Sequence, residues 1–294
     1  MAEKKDAPKS EAAVTLKSKP RTVIEFLACV KGLVGDNIEA YRPVLYRGHR
    51  DITRKLVPEV ARFPFRREHR RSWMCRTKDQ KKDRSAERGL YNFFREWAAS
   101  VMPAWALQGD PKEASWRILV LARHHGLPTR LLDWSTNPLV GLFFAVRGEP
   151  AKCKRRLRCL YCNDDRIHNS AVCVLNLHRD TFTIQGLAAS NQNGNAPYYG
   201  YEKEEGKEKD PNRVGILRPP TISARIAAQG SLFTIRRYPN KAITRGVTII
   251  PIPWDARGAI LRELDQLGIN QGTLFPDMDG IAEYIKWTFS ERKQ

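Results

Sequence analysis

The chain has 294 residues, 41% hydrophobic and 28% charged, which is enough apolar material for a sizeable core and excludes a wholly disordered polymer. Lys and Arg total 51 against 32 Asp and Glu, a formal net charge of +19 that points to polyanionic partners, with solvated basic loops as the plain alternative. No apolar run approaches the roughly 18 residues of a membrane span. The longest, Pro138 to Val146, stops at Arg147, and the charged N-terminus lacks the apolar centre of a secretory signal. A cytoplasmic protein without membrane association is the expectation, and its six cysteines are expected to be free thiols.

Residues 1–21, with six basic and three acidic side chains, read as a basic flexible tail. Thr22 and Glu25 have capping-box spacing and predict a helix from Val23 to Val34. Pro43 to Arg47 is short and apolar, hence a strand. Arg62 to Arg88, with eleven basic and four acidic residues, is a basic excursion. Leu90, Phe93, Phe94, Trp97 and Val101 recur at helical spacing over Ala86 to Val101, as do Trp116, Leu119, Val120 and Leu121 over Glu113 to His125. Gly126 then stands where a helix C′ glycine is expected, with Pro128 just beyond it. Asn137 followed by Pro138 is an N-cap with proline at the first helical position, predicting a helix through Val146.

A second basic excursion occupies 147–170, its charge concentrated between Arg147 and Arg158. Residues 1–21, Arg62 to Arg88 and Arg147 to Arg158 together carry +15 of the +19, so the basicity is hardly a property of the remaining body. Residues 201–218 balance five basic against five acidic side chains and contain Gly206 and Pro211, a charged loop. Ala171 to Leu177, Ser231 to Arg237 and Val247 to Ile252 are rich in Val, Ile and Thr and predict strands. Two helices, roughly 255–267 and 279–291, close the chain. Helices early, strands late and helices last predict an α+β fold, with mixed helices around a central, mostly antiparallel sheet. Residues 22–294 are expected to form a single domain.

Four stretches stand out together: Tyr46-Arg47-Gly48 with Leu56, Pro58 and Arg62; the block His124-His125-Gly126-Leu127-Pro128-Thr129-Arg130-Leu131-Leu132-Asp133-Trp134; Asn137-Pro138-Leu139-Val140 running to Phe144-Ala145; and Arg225-Ile226 followed by Ala228-Gln229-Gly230-Ser231-Leu232-Phe233-Thr234-Ile235. In this order they resemble the FRG domain family, over about Thr22 to Phe289. Leu274-Phe275-Pro276-Asp277 with Asp279-Gly280 is similar to the usual end of such proteins. Arg123 departs from the pattern, standing where members usually carry glutamine. The family occurs largely in bacteria and phages, so the resemblance implies a defence or toxin setting.

A strand ending in Tyr46-Arg47-Gly48 is also similar to the first-strand arginine motif of arginine-type ADP-ribosyltransferases. Ser135-Thr136, leading to Phe144-Ala145, is similar to their Ser-Thr strand and the helix after it. That resemblance implies an ADP-ribosyltransferase-like fold, NAD as a candidate cofactor, and a ligand set of Tyr46, Arg47, Gly48, Arg130, Ser135, Thr136 and Gln229. A strand-end arginine suits a pyrophosphate because its planar fork donates bidentately to phosphate oxygens. The resemblance also implies a catalytic glutamate in a third strand, but here that stretch reads Gln229-Gly230-Ser231-Leu232-Phe233, with no carboxylate. Gln229 can hydrogen-bond a ribose yet cannot supply negative charge to a cationic transition state. Either Asp133 supplies it, or the pocket binds a nucleotide without splitting it.

A second reading takes nucleic acid as the partner through Arg62 to Arg88, where Phe63, Phe65 and Trp73 lie among Arg66, Arg67, Arg70 and Arg71. His124, His125 and Asp133 then suit acid–base work on a phosphodiester, as in a nuclease. A His pair at a helix C-terminus is equally a structural feature. Arg130 either pairs with Asp133 to fix the turn or joins Arg47 around an anion. Finally, Cys159-x2-Cys162-x5-His168-x4-Cys173 falls one residue from a compact zinc knuckle, with Cys153 in reserve. Cys173 within Ala-Val-Cys-Val-Leu reads more plainly as a buried strand cysteine.

Overall fold

The computed structural model describes residues 12–35, 44–63, 85–149, 152, 167–176, 182–183, 214–219, 223–236 and 238–291. In chain order the described strands are β1 (Val14–Thr15), β2 (Val44–His49), β3 (Leu132–Ser135), β4 (Ser170–Asn176), β5 (Phe182–Thr183), β6 (Gly215–Leu217), β7 (Ser231–Ile235) and β8 (Val247–Ile252). The described α-helices are α1 (Val23–Val34), α2 (Ser85–Trp97), α3 (Ala104–Leu107), α4 (Pro111–His124), α5 (Pro138–Val146), α6 (Ala224–Ala228), α7 (Arg257–Gln266), α8 (Gln271–Leu274) and α9 (Met278–Glu291). The fold is α+β with mostly antiparallel strand pairing, as the order of elements predicts. The chain divides into two compact units.

The first unit comprises Met1–Arg54, Ser135–His178 and Ile243–Gln294. Its strands run β1-β8-β4-β2, and β2 and β8 flank β4 antiparallel. Tyr46 pairs with Ser135 at the end of β3, and Arg47 with Cys173 in β4. Side chains alternate along β2. Tyr46 belongs to the core with Val172, Val174, Ile250 and Ile252, against Val140, Phe143 and Ala145 of α5. Phe26 of α1 and Ile260 and Leu264 of α7 complete that core. Helix α5 is apolar throughout its nine residues, as a helix buried on most of its surface must be. Asn137 Oδ1 accepts from the Leu139 N–H at 2.9 Å and starts it, with Pro138 in the first turn.

Helix α5 lies so close to β2 that a Cβ on Gly48 would overlap the backbone of Gly141, Phe144 and Ala145. A Cβ on Gly141 would in turn fall 2.8 Å from Tyr46 Cβ. The glycine of Tyr46-Arg47-Gly48 therefore permits backbone-to-backbone packing rather than an unusual dihedral.

Two sequence expectations change here. In α1, Thr22 Oγ1 accepts from Glu25 N–H as predicted, but the Glu25 carboxylate takes the N–H of Arg21 at 2.7 Å. The described part of the expected tail is tied down: Val14 and Thr15 pair in parallel with Thr248 and Ile249, and Arg21 meets Asp255 at 2.6 Å. Residues 1–11 lie outside the described residues, as do 64–84 and 153–166 of the two excursions and 201–213 of the charged loop.

The second unit comprises Lys55–Trp134 and Arg179–Ala242. Tyr91 of α2, Trp116, Leu119 and Val120 of α4, Leu131, Ile226, and Phe233 and Ile235 of β7 form its core. Trp134 Nε1 donates to Thr234 Oγ1 at 2.9 Å, tying β3 to β7. Helix α4 ends as predicted at Gly126, whose φ is +84°. Leu127 N–H reaches Ala122 O and Gly126 N–H reaches Arg123 O, the two bonds of a Schellman ending.

Replacing Gly48 by Ala forces β2 and α5 apart, and the cost expected is at least about 3 kcal/mol, at the upper end for overpacking because the obstructing atoms are backbone. Urea denaturation of G48A checks this; a variant as stable as the parent would contradict the packing account.

Candidate functional site

The residues singled out from sequence are divided between the two units. Tyr46, Arg47, Gly48, Ser135 and Thr136 lie in the first unit, on and beside the β2–β3 pairing. Gly48 and Tyr46 face α5, which places Arg47 on the opposite face of β2 with Cys173 beside it. Arg47 is half-buried, and its Nε donates to His49 Nε2 at 3.2 Å. His49 is buried, so this hydrogen bond fixes the guanidinium plane from below and requires His49 Nε2 to be unprotonated. Burial pushes the Cys173 thiol up to about 12, while the charge of Arg47 pulls the other way. Sequence reasoning missed His49. The signal was present: in a strand, position i+2 from Arg47 shares its face.

Ser135 and Thr136 divide between two roles. Ser135 is buried, and its Oγ accepts the N–H of Asn137 at 3.0 Å, a turn that leads β3 into α5. Thr136 is exposed. In the second unit, Gln229 is half-buried at the C-cap of α6, where its N–H bonds back to Arg225 and Ala227.

Arg130 differs most from expectation. It is 1% exposed, and its Nε and Nη2 form a fork on Glu87, with Nη2 to Oε2 at 2.6 Å. Glu87 is itself 2% exposed, and Arg130 Nη1 adds a bond to the Arg236 carbonyl at 3.4 Å. The guanidinium expected at a ligand is committed to tying α2 to the turn before β3. Glu87 was missed because it sits at the edge of a charged stretch that reads as solvated.

Asp133 is held by the residue that departs from the family pattern. Arg123 Nε lies 3.1 Å from Asp133 Oδ1, Nη2 lies 2.7 Å from Oδ2, and Nη1 bonds Glu59. Burial works against the Arg123 charge, yet Asp133 and Glu59 together raise its pKa. The Asp133 side chain remains 39% exposed. His124 is half-buried and His125 exposed, their rings edge to face at 5.1 Å.

Of the zinc candidates, Cys159 and Cys162 lie outside the described residues. His168 Nδ1 stands 3.0 Å from Asp51 Oδ1, and Cys173 is buried in β4. Burial opposes the Asp51 charge, but the Thr53 hydroxyl and N–H and His168 outweigh it and lower the carboxyl's pKa. Among the described residues no group of three or more His, Cys, Asp or Glu gathers as metal ligands would. Nor is any described helix long and apolar enough to cross a membrane. A cavity of about 440 Å³ in the first unit is lined by Phe143, Arg147, Leu261, Asn270, Tyr284 and Trp287, and includes none of the expected site residues.

Glu87→Gln leaves the Arg130 cation buried beside a neutral amide, and the expected loss is about 3–5 kcal/mol of stability. Chemical denaturation reads it. Replacing the pair together with Leu and Met should restore part of the loss, and an unaffected E87Q would contradict the buried-pair assignment.

No curated protein and no solved structure matches the chain. A family model described as the FRG domain matches residues 42–154. The matched span runs from β2 through α5, and so contains Tyr46-Arg47-Gly48, the block ending in Asp133-Trp134, and the helix against which Gly48 packs. Over residues 42–154 the chain is therefore similar to the FRG domain.

Proposed function

We propose that the FRG domain binds a phosphate-bearing ligand through Arg47, with NAD the first candidate in an ADP-ribosyltransferase-like pocket. The observation that carries this reading is the setting of Arg47: half-buried, on a strand fixed by the Gly48 contact, with its guanidinium plane held at Nε by His49. A guanidinium oriented in advance loses little freedom on binding and suits bidentate recognition of phosphate by its Nη groups. Thr136, exposed one residue beyond Ser135, suits a polar contact to such a ligand. Arg130 is left out because Glu87 already occupies its fork.

The reading is binding rather than turnover. Strand β7, Ser231–Ile235, has no carboxylate, and Asp133 is engaged by Arg123. Calorimetric titration with NAD and with ADP tests the proposal, alongside an assay for released nicotinamide. Saturable binding without release is expected, and Arg47→Ala should weaken it roughly tenfold or more, the loss of one charge-assisted pair. Failure of both nucleotides to bind, or an unchanged affinity in R47A, would overturn it.

The basic excursion supports a second reading, nucleic-acid binding, since Arg62 to Arg88 carries +7 with Phe63, Phe65 and Trp73 interleaved. Affinity for RNA and DNA should then fall steeply with salt, with a shallower slope after neutralising Arg66, Arg67, Arg70 and Arg71. A salt-independent affinity would contradict it. The defence or toxin setting rests on the family resemblance alone.

A further inference from the structure

Ser170 and Arg257 of the first unit each bury a polar atom that has no hydrogen-bond partner among the described residues. Ser170 opens β4 with 0% exposure, and its Oγ has no partner among the described residues. Arg257, at the start of α7, is 5% exposed. Its Nε and Nη2 bond the Val146, Arg147 and Gly148 carbonyls that end α5, at 2.8–3.2 Å. Its Nη1 is buried with no partner among the described residues. A buried donor left unmade is costly, and an unmatched one beside a cation points to a missing acceptor.

Arg50 is the third element. The β2–β4 register pairs Gly48 with Val172 and His49 with Ala171, so Arg50 falls beside Ser170 one step further on. The strands stay adjacent there, since Ile52 N–H donates to the Asn169 carbonyl at 2.9 Å. The exposed Arg50 reaches toward Gly148: its Nη1 lies 3.2 Å from where a Cβ on that glycine would stand, and Arg257 Nη2 is 2.8 Å from Gly148 O. Two guanidiniums thus converge on one residue. Burial and the charge of Arg50 together lower the Arg257 pKa to about 10, with Glu149 giving some opposition.

We propose that Arg50, Ser170 and Arg257 form a binding site for a phosphoryl-type oxyanion at the C-terminal end of α5. Arg257 Nη1 and the Ser170 hydroxyl donate from the buried side, and Arg50 closes the site from solvent. A water molecule would satisfy both buried groups but leave the two guanidiniums with only Glu149 and the carbonyls ending α5 against them, whereas an oxyanion also adds a counter-charge between them. Three donors carried on three separate segments suit a group with several acceptor oxygens, such as a phosphate. The site is separate from Arg47, which lies on the other face of β2.

Calorimetric titration of the full-length protein with inorganic phosphate, from a phosphate-free buffer, tests the assignment. Saturable binding is expected, weaker with acetate, with a component that persists in Arg47→Ala. Arg50→Gln and Ser170→Ala leave the Arg257 bonds to α5 intact, so both should fold. The first should weaken phosphate roughly tenfold or more and the second several-fold. Displacement of phosphate by ADP would show that the group arrives on a nucleotide, and failure of ADP to displace it would assign a free anion; either supports the site. No saturable binding, equal affinity in parent, R50Q and S170A, or a single water bridging Arg257 and Ser170 in crystals grown from phosphate would overturn it.

Discussion

The contact between the backbones of β2 and α5 at Gly48 constrains much of the first unit. Any side chain at that position would collide with Gly141, Phe144 and Ala145, so strand and helix meet only because a hydrogen stands there. Several features depend on it. Tyr46 packs into the core over Gly141, and Arg47 is turned to the other face, where His49 can hold it. The end of α5 is set beside the start of α7, where Arg257 gathers its last carbonyls. A motif of three residues is thus divided by strand alternation: Tyr46 and Gly48 build the packing, and Arg47 is turned to the opposite face beside His49.

The arginines sort by what already neutralises them. Arg130 and Glu87 form a closed pair in the interior of the second unit, a structural use of charge that costs much if halved. Arg123 joins Asp133 to Glu59 across a half-exposed surface, so the carboxylate that the sequence offered in place of a catalytic glutamate is already engaged by a cation. Arg257 is different: its Nε and Nη2 bond the carbonyls of a helix end, which supply dipoles but no full counter-charge, and its Nη1 is left without a partner among the described residues. Seen this way, the bulk charge of +19 says little about the site. The informative arginines are those whose charge is balanced by dipoles or oriented by a neutral group.

Much of the architecture was legible from local signals. Helix α1 begins after Thr22 and α5 after Asn137, as their caps predict, and β8 spans Val247–Ile252 as its β-branched run predicts. Gly126 ends α4 through a Schellman pattern that the sequence announces. Strand β3 was not legible from local pattern, because Leu132 to Ser135, although alternating in polarity, is only four residues long and directly follows a turn-forming block; only the resemblance implied a strand at Ser135. Strand β6, three residues beside a charged loop, offers too little pattern to read. The site was less legible still. Arg130 and Glu87 are 43 residues apart, and nothing local to either says that they meet. Ser170 and Arg257 carry no motif; their significance lies in polar atoms left unmatched after folding, a property that exists only in three dimensions.

Amide hydrogen exchange resolved at β2 tests most directly whether the Gly48 contact holds Arg47 in place. If strand and helix move only together, the Arg47 and Gly48 amides should exchange through global unfolding, with the opening free energy of the most protected amides of the first unit. Exchange of those two amides through a low-energy local opening, while the neighbouring β4 and β8 amides remain protected, would contradict the account.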